Sequence, residues 1–165
     1  MNNPVSLQYS RSHEWLSQDG DSAIVGITDF AQHELTVLRQ IIGTILDFTG
    51  QTFEYCDITA AKHIEPLEEV VDDMVNAMKQ NHLNRLRERT CSVLAGTEFL
   101  NMLSDIERIS DICSNVGVFT IARMKPELKH EIHDYVSKLH SGQDDSFNRE
   151  YQFAHDKYFK ILNAE

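Results

Sequence analysis

Positive charge is what this sequence has least of. Fifteen lysines and arginines stand against 26 aspartates and glutamates, a formal net charge of −11 over 165 residues. A nucleic-acid surface needs a basic face or stripe. The nearest approach is Lys79 with Arg85, Arg87 and Arg89, placed where basic side chains complement the dipole at a helix C-terminus. No nucleic-acid partner is expected. Cysteine is scarce as well. Cys56, Cys91 and Cys113 are odd in number and lack CxxC spacing, which excludes a disulfide framework and a structural zinc knuckle and fits a reducing compartment. Met1–Gln8 has neither the basic start nor the apolar core of a signal peptide. Apolar runs of roughly 18 residues, the length that spans a bilayer, do not occur, so no direct membrane insertion is expected. These absences together predict a cytoplasmic protein.

Signatures of catalysis are missing too. There is no glycine-rich phosphate loop of Walker or Rossmann type. His130 and His133 flank Glu131 without HExxH spacing, and read as a surface pair. Cys113 falls on an apolar stripe and reads as a buried structural thiol, while Ser104 and Ser110 have no histidine beside them in the pattern. The chain is expected not to be an enzyme.

What is present is mostly helical periodicity. A chain of this length makes one domain, or one domain with a small appendage. Residues 1–30 differ from the rest: SLQYS and SAIVGIT favour strands and are separated by the turn-forming Gln18-Asp19-Gly20-Asp21, a hairpin signal, with Trp15 and Phe30 expected to pack on it. From about Asp29 the period lengthens. Leu35, Leu38, Ile42, Ile45 and Thr49 mark one helical face, with Gly50 a candidate end that Phe53 extends by a turn.

Asp57 suits an N-cap for a second helix, whose seam is Ala60, Ile64, Leu67, Val71, Met74 and Met78. Pro66 either kinks that helix or follows a short lead-in turn. A third helix is predicted over Cys91–Ala122, with Phe99, Met102, Leu103, Ile106, Ile109, Cys113 and Val116 inward. In it, Gly96 and Gly117 mark either close backbone approaches or frayed ends. Pro126 opens a fourth helix that Gly142 ends, and a fifth carries Phe147, Tyr151, Phe153, Ala154, Tyr158, Phe159 and Leu162 inward. The fold class is therefore all-α, an up-down bundle of about five helices (31–165) with a short N-terminal β-hairpin (1–30).

Two of these helices carry acidic pairs one turn apart: Glu68 with Asp72, and Glu107 with Asp111. Like charges at i,i+4 oppose the helix by a few tenths of a kcal/mol, so water must tolerate them or a hard cation reward them. Each pair borders an apolar seam, and two antiparallel neighbours bring four carboxylates to one groove. Such an oxygen-rich set suits divalent metal or iron. The alternative is four solvated flank charges balanced by Arg108 and Lys79.

Two resemblances bear on this choice. YSRSHEWL, the DGD turn and VGITDFAQHEL resemble the start of the glycine cleavage system H protein, a lipoyl carrier, over residues 1–35. The strands and the ESVKA-like turn that hold the modified lysine do not follow, so no lipoate is expected and the segment looks like a fused fragment. HIEPLEEVVDDMV and LSDIERISDICSNVG resemble the paired motifs of the PhoU family, most closely the PhoU-like tail of bacterial Na⁺/phosphate cotransporter proteins.

The PhoU resemblance implies a cytoplasmic, three-helix-bundle regulator of phosphate uptake. It implies a metal site at Glu68, Asp72, Glu107 and Asp111, with Glu69 and Asp73 in reserve. It also implies a phosphate transporter or its membrane domain as partner, with a homo-oligomer left open. Here only one three-helix repeat is evident, Ser110 replaces the family's usual glycine, and the transporter portion is absent. Two rivals stand beside this reading. One is a fused structural bundle with an empty site. The other is a carboxylate-bundle metalloenzyme, against which the Glu-x-x-His motif is missing.

Overall fold

The computed structural model describes residues 6–9, 14–27, 29–88, 93–125, 127 and 131–162. Three strands come first: β1 (Gln8–Tyr9), β2 (Glu14–Asp19) and β3 (Ser22–Ile27), an antiparallel sheet in that order. The turn sits where expected, between Asp19 and Ser22, with Gly20 at φ +60°. The strand leading into it, however, is EWLSQD rather than SLQYS, which supplies only the two-residue edge strand. Trp15 faces Gly26 across the β2–β3 ladder, and a Cβ on Gly26 would lie 2.4 Å from the indole. The side chain of Phe30 lies outside the described residues.

Helix α1 (Asp29–Tyr55) runs past Gly50 and stops at Cys56, whose φ of 51° is incompatible with continuing the helix. It buries Val37, Leu38, Ile41 and Ile45 at helical spacing. Asp57 then caps α2 (Ile58–Lys62), accepting from the amides of Thr59 at 2.8 Å and Ala60 at 3.2 Å. After a turn at His63, α3 (Ile64–Arg87) begins, so Pro66 sits in its first turn, where a missing N–H leaves no intrahelical bond unmade. The lead-in turn, not a kink, is what Pro66 marks. The second helical pattern is thus split, which gives six α-helices among the described residues.

α4 (Val93–Met124) returns alongside α3; α5 (Ile132–His140) packs on α4, and α6 (Asp145–Leu162) lies across α1 and α3. Gly142, at φ +76°, follows the end of α5. The expectations placed on Cys91, Pro126 and His130 fall outside the described residues, and α5 starts only at Ile132.

The core joins Leu38, Ile41 and Ile45 of α1 with Val70, Val71, Met74, Val75 and Met78 of α3, Leu103 and Cys113 of α4, and Ala154 and Tyr158 of α6. α3 contacts α1, α4 and α6, which is why its buried face is wider than the seam read from spacing. Three residues expected inward are exposed instead: Met102 and Ile109 on α4, and Phe153 on α6. α4 and α6 bury one face of each helix against their neighbours, and these three residues lie beyond that face. Gly96 and Gly117 are both close approaches. A Cβ on Gly96 would meet the His82 ring at 2.3 Å, and one on Gly117 would lie 3.1 Å from the carbonyl oxygen of Ala61 in α2.

Candidate metal centre

α3 and α4 pack side by side, and the acidic pairs read from sequence lie along their shared border. Glu68 and Asp72, one turn apart on α3, meet Asp111 of α4, with carboxylate oxygens of all three within 4.8 Å of one another. Glu68 and Asp72 are half-buried and Asp111 is exposed, so the cluster opens to solvent from the α4 side. Asp72 Oδ1 is buried and has no hydrogen-bond partner among the described residues.

Glu107, the fourth expected ligand, stands apart from the other three. Its carboxylate accepts a 2.6 Å bond from the ammonium of Lys79, which lies seven residues on from Asp72 and hence on the same face of α3. The reserve pair is also committed elsewhere. Glu69 faces Nδ1 of His140 at 3.1 Å, and Asp73 accepts from the Tyr151 hydroxyl at 2.5 Å.

Burial and crowding make ionisation difficult here. Loss of solvation pushes the Glu68 carboxyl up to about 9, with the charges of Asp72, Glu65, Glu69 and Asp111 adding to it. Asp72 rises to about 6, again chiefly through burial, followed by the charges of Glu107 and Asp111. A divalent cation reverses this balance, since it favours the ionised form of every carboxylate around it. The donors are all oxygen, the set that hard cations select. The chemistry of the site therefore fits a cation, with three carboxylates to hold it, one of them offering the otherwise unpaired Oδ1 of Asp72.

A neighbouring network was not legible in the sequence. Glu65, buried in the first turn of α3, accepts from the Ser114 hydroxyl and from Nε2 of His140, the latter at 2.8 Å. His140 thus places one ring nitrogen on each of two carboxylates of α3. Its partners are 71 and 75 residues away by number, and no local spacing announces such a contact.

Comparison with known proteins separates the two parts of the chain. One part is similar to glycine cleavage system H proteins over short, partial segments. That of Halothermothrix orenii is 57% identical over 35 residues, covering 21% of this chain and 27% of that protein. The Endomicrobium trichonymphae protein is 58% identical over 36 residues, covering 22% and 29%. The Nitratidesulfovibrio vulgaris protein is 35% identical over 68 residues, covering 39% and 54%. This chain spans between about a quarter and about half the length of these relatives. No solved structure matches. The PhoU domain model matches residues 35–120, a stretch that takes in α3, most of α4 and all four expected ligands. PhoU domains are non-enzymatic regulators in phosphate homeostasis. With just over half its length matched by that model, the chain belongs to the PhoU domain family.

Proposed function

We propose that this chain is a non-enzymatic, cytoplasmic regulator linked to phosphate transport, and that a divalent metal or iron binds between α3 and α4 through Glu68, Asp72 and Asp111. The buried, unpartnered Oδ1 of Asp72 carries the reading, because a desolvated carboxylate oxygen with no donor costs folding free energy that a cation offsets. Glu107, neutralised by Lys79, borders the site as a charge reserve. A cation held there ties α3 to α4, and a transporter or its membrane domain is the partner that reads the resulting packing. Such coupling requires two packings that differ in cation affinity.

The test is metal analysis of the chain purified without chelator, followed by calorimetric titration with Mn²⁺ or Fe²⁺. One ion per chain is expected, lost in the Asp72→Asn, Asp111→Asn double variant. Cation at a hundred times its dissociation constant should then stabilise the wild-type chain by about 2.7 kcal/mol. Unchanged stoichiometry in the double variant removes the site. No binding by the wild type would leave a bundle fused to an H-protein-like sheet.

A further inference from the structure

On α4, the flank away from the acidic site carries a second pattern. Asp105, Ile109, Ile112, Val116, Phe119 and Arg123 alternate at spacings of four and three, and at 100° per residue they fall within about 40° of one line along the helix. The chain itself leaves this line largely uncovered: Ile109, Ile112 and Phe119 are 43%, 55% and 64% exposed, and only Val116 is half-buried. A groove of about 500 Å³ runs between Ile112, Val116 and Phe119 and the end of α1, where Phe53 is 80% exposed. Contiguous apolar surface of this kind marks an interaction site.

The ends of the stripe identify the occupant. Asp105 and Arg123 are exposed, carry opposite charge, and have no ion-pair partner among the described residues. Set two copies of α4 antiparallel about a two-fold axis at the level of residue 114. Asp105 then lies opposite Arg123 of the other copy, Ile109 opposite Phe119, and Ile112 opposite Val116. The register also matches the a-to-d' pairing of antiparallel helices, in which each layer joins one position of each kind. One register satisfies both charges and every apolar position. That is the self-complementarity an isologous interface requires.

We propose that this chain forms a two-fold symmetric dimer through the α4 stripe, with Phe53 and Leu46 of α1 flanking the contact. The metal site lies on the other flank of α4, so dimerisation and cation binding are separate properties.

Sedimentation velocity over a micromolar-to-submillimolar series is expected to show a species of twice the chain mass. Asp105→Arg alone places arginine against arginine twice per dimer, and Arg123→Asp alone does the same with aspartates. Each should weaken association at least about tenfold. The combined Asp105→Arg, Arg123→Asp chain should recover the wild-type dimer. Both positions are exposed, and circular dichroism checks that the helices are retained.

A cross-link provides a second readout. The Asp105→Cys, Arg123→Cys chain should oxidise to a covalent dimer above the level of the unsubstituted chain. Asp105→Cys alone should not, since in this register the two copies of residue 105 lie about 27 Å apart. A chain that stays monomeric throughout, its apolar face then serving a different protein, overturns the proposal. So does a dimer indifferent to the single reversals, or one that the combined variant fails to restore.

Discussion

Lys79 on α3 brings its ammonium to 2.6 Å from the carboxylate of Glu107 on α4, and so holds one of four acidic side chains out of the crevice that the other three share. The pair is nearly a third exposed on both sides, so it adds little to stability. Its effect is on the site: it fixes Glu107 beside the cluster, close enough for the Glu107 charge to help raise Asp72.

Cation affinity should therefore respond unequally to the four acids. Asp111→Asn is expected to weaken Mn²⁺ binding by at least about tenfold, whereas Glu107→Gln changes it by less than about threefold, because the lost carboxylate was already neutralised. Lys79→Met removes a positive charge near the ion and should strengthen binding severalfold, about what Coulomb attraction at a partly screened distance supplies. Calorimetric titration of the three variants separates these outcomes. Equal losses for Glu107→Gln and Asp111→Asn would mean that all four carboxylates ligate.

Stability of the metal-free chain should fall as pH rises. Glu68 titrates near its ordinary 4.5 when unfolded and at about 9 when folded, so between these values the folded chain holds the more protons and each step upward in pH favours unfolding. Below about 4.5 the group is neutral in both states and contributes nothing. At pH 7 its accumulated penalty is about 3 kcal/mol. Glu68→Gln should then stabilise the metal-free chain at neutral pH by roughly that amount and flatten the slope between pH 5 and 8, as read by urea denaturation. An unaltered slope would place Glu68 in solvent. Adding cation to the wild type should release protons, measurable as a buffer-dependent binding enthalpy.

The helical periods, the Asp57 cap and the acidic pairs were all legible, because each is a property of residues within a turn or two of one another. What was not legible depends on which helices become neighbours. Lys79 reads as a helix-end charge until α4 brings Glu107 to it, and His140 carries no signal until α5 lays it between Glu65 and Glu69. Met102, Ile109 and Phe153 follow apolar spacing faithfully, yet they lie on exposed sides of α4 and α6. Pro66 allowed two geometries that differ only in where the chain turns before it, a choice made by the cap at Asp57 and the turn at His63.

The contact of Gly117 with α2 predicts a sharp size limit. Its absent Cβ would lie 3.1 Å from both the Ala61 carbonyl oxygen and Ile64 Cδ1, and the carbonyl belongs to backbone that cannot swing aside. Gly117→Val should destabilise the chain by about 1–3 kcal/mol despite removing a helical glycine. Gly43, with open space at its Cβ, is the control: Gly43→Ala should stabilise by up to about 1 kcal/mol. Thermal denaturation of both variants decides it, and a tolerated Gly117→Val would mean that α2 is free to shift.

The N-terminal sheet touches the bundle chiefly where β3 meets the start of α1. Removing residues 1–27 should leave the melting temperature of the helices within a few degrees of the full chain and leave cation binding intact, since that loss of contact is worth no more than about 1 kcal/mol. A collapse of helical signal on truncation would show that the sheet is part of the core.

Tyr151 and His140 grip Asp73 and Glu69, the residues next along α3 from Asp72 and Glu68. The last two helices are thus moored to the same rod that carries Glu68 and Asp72. A shift of that rod at the crevice would therefore have to be accommodated by α5 and α6 through these two contacts.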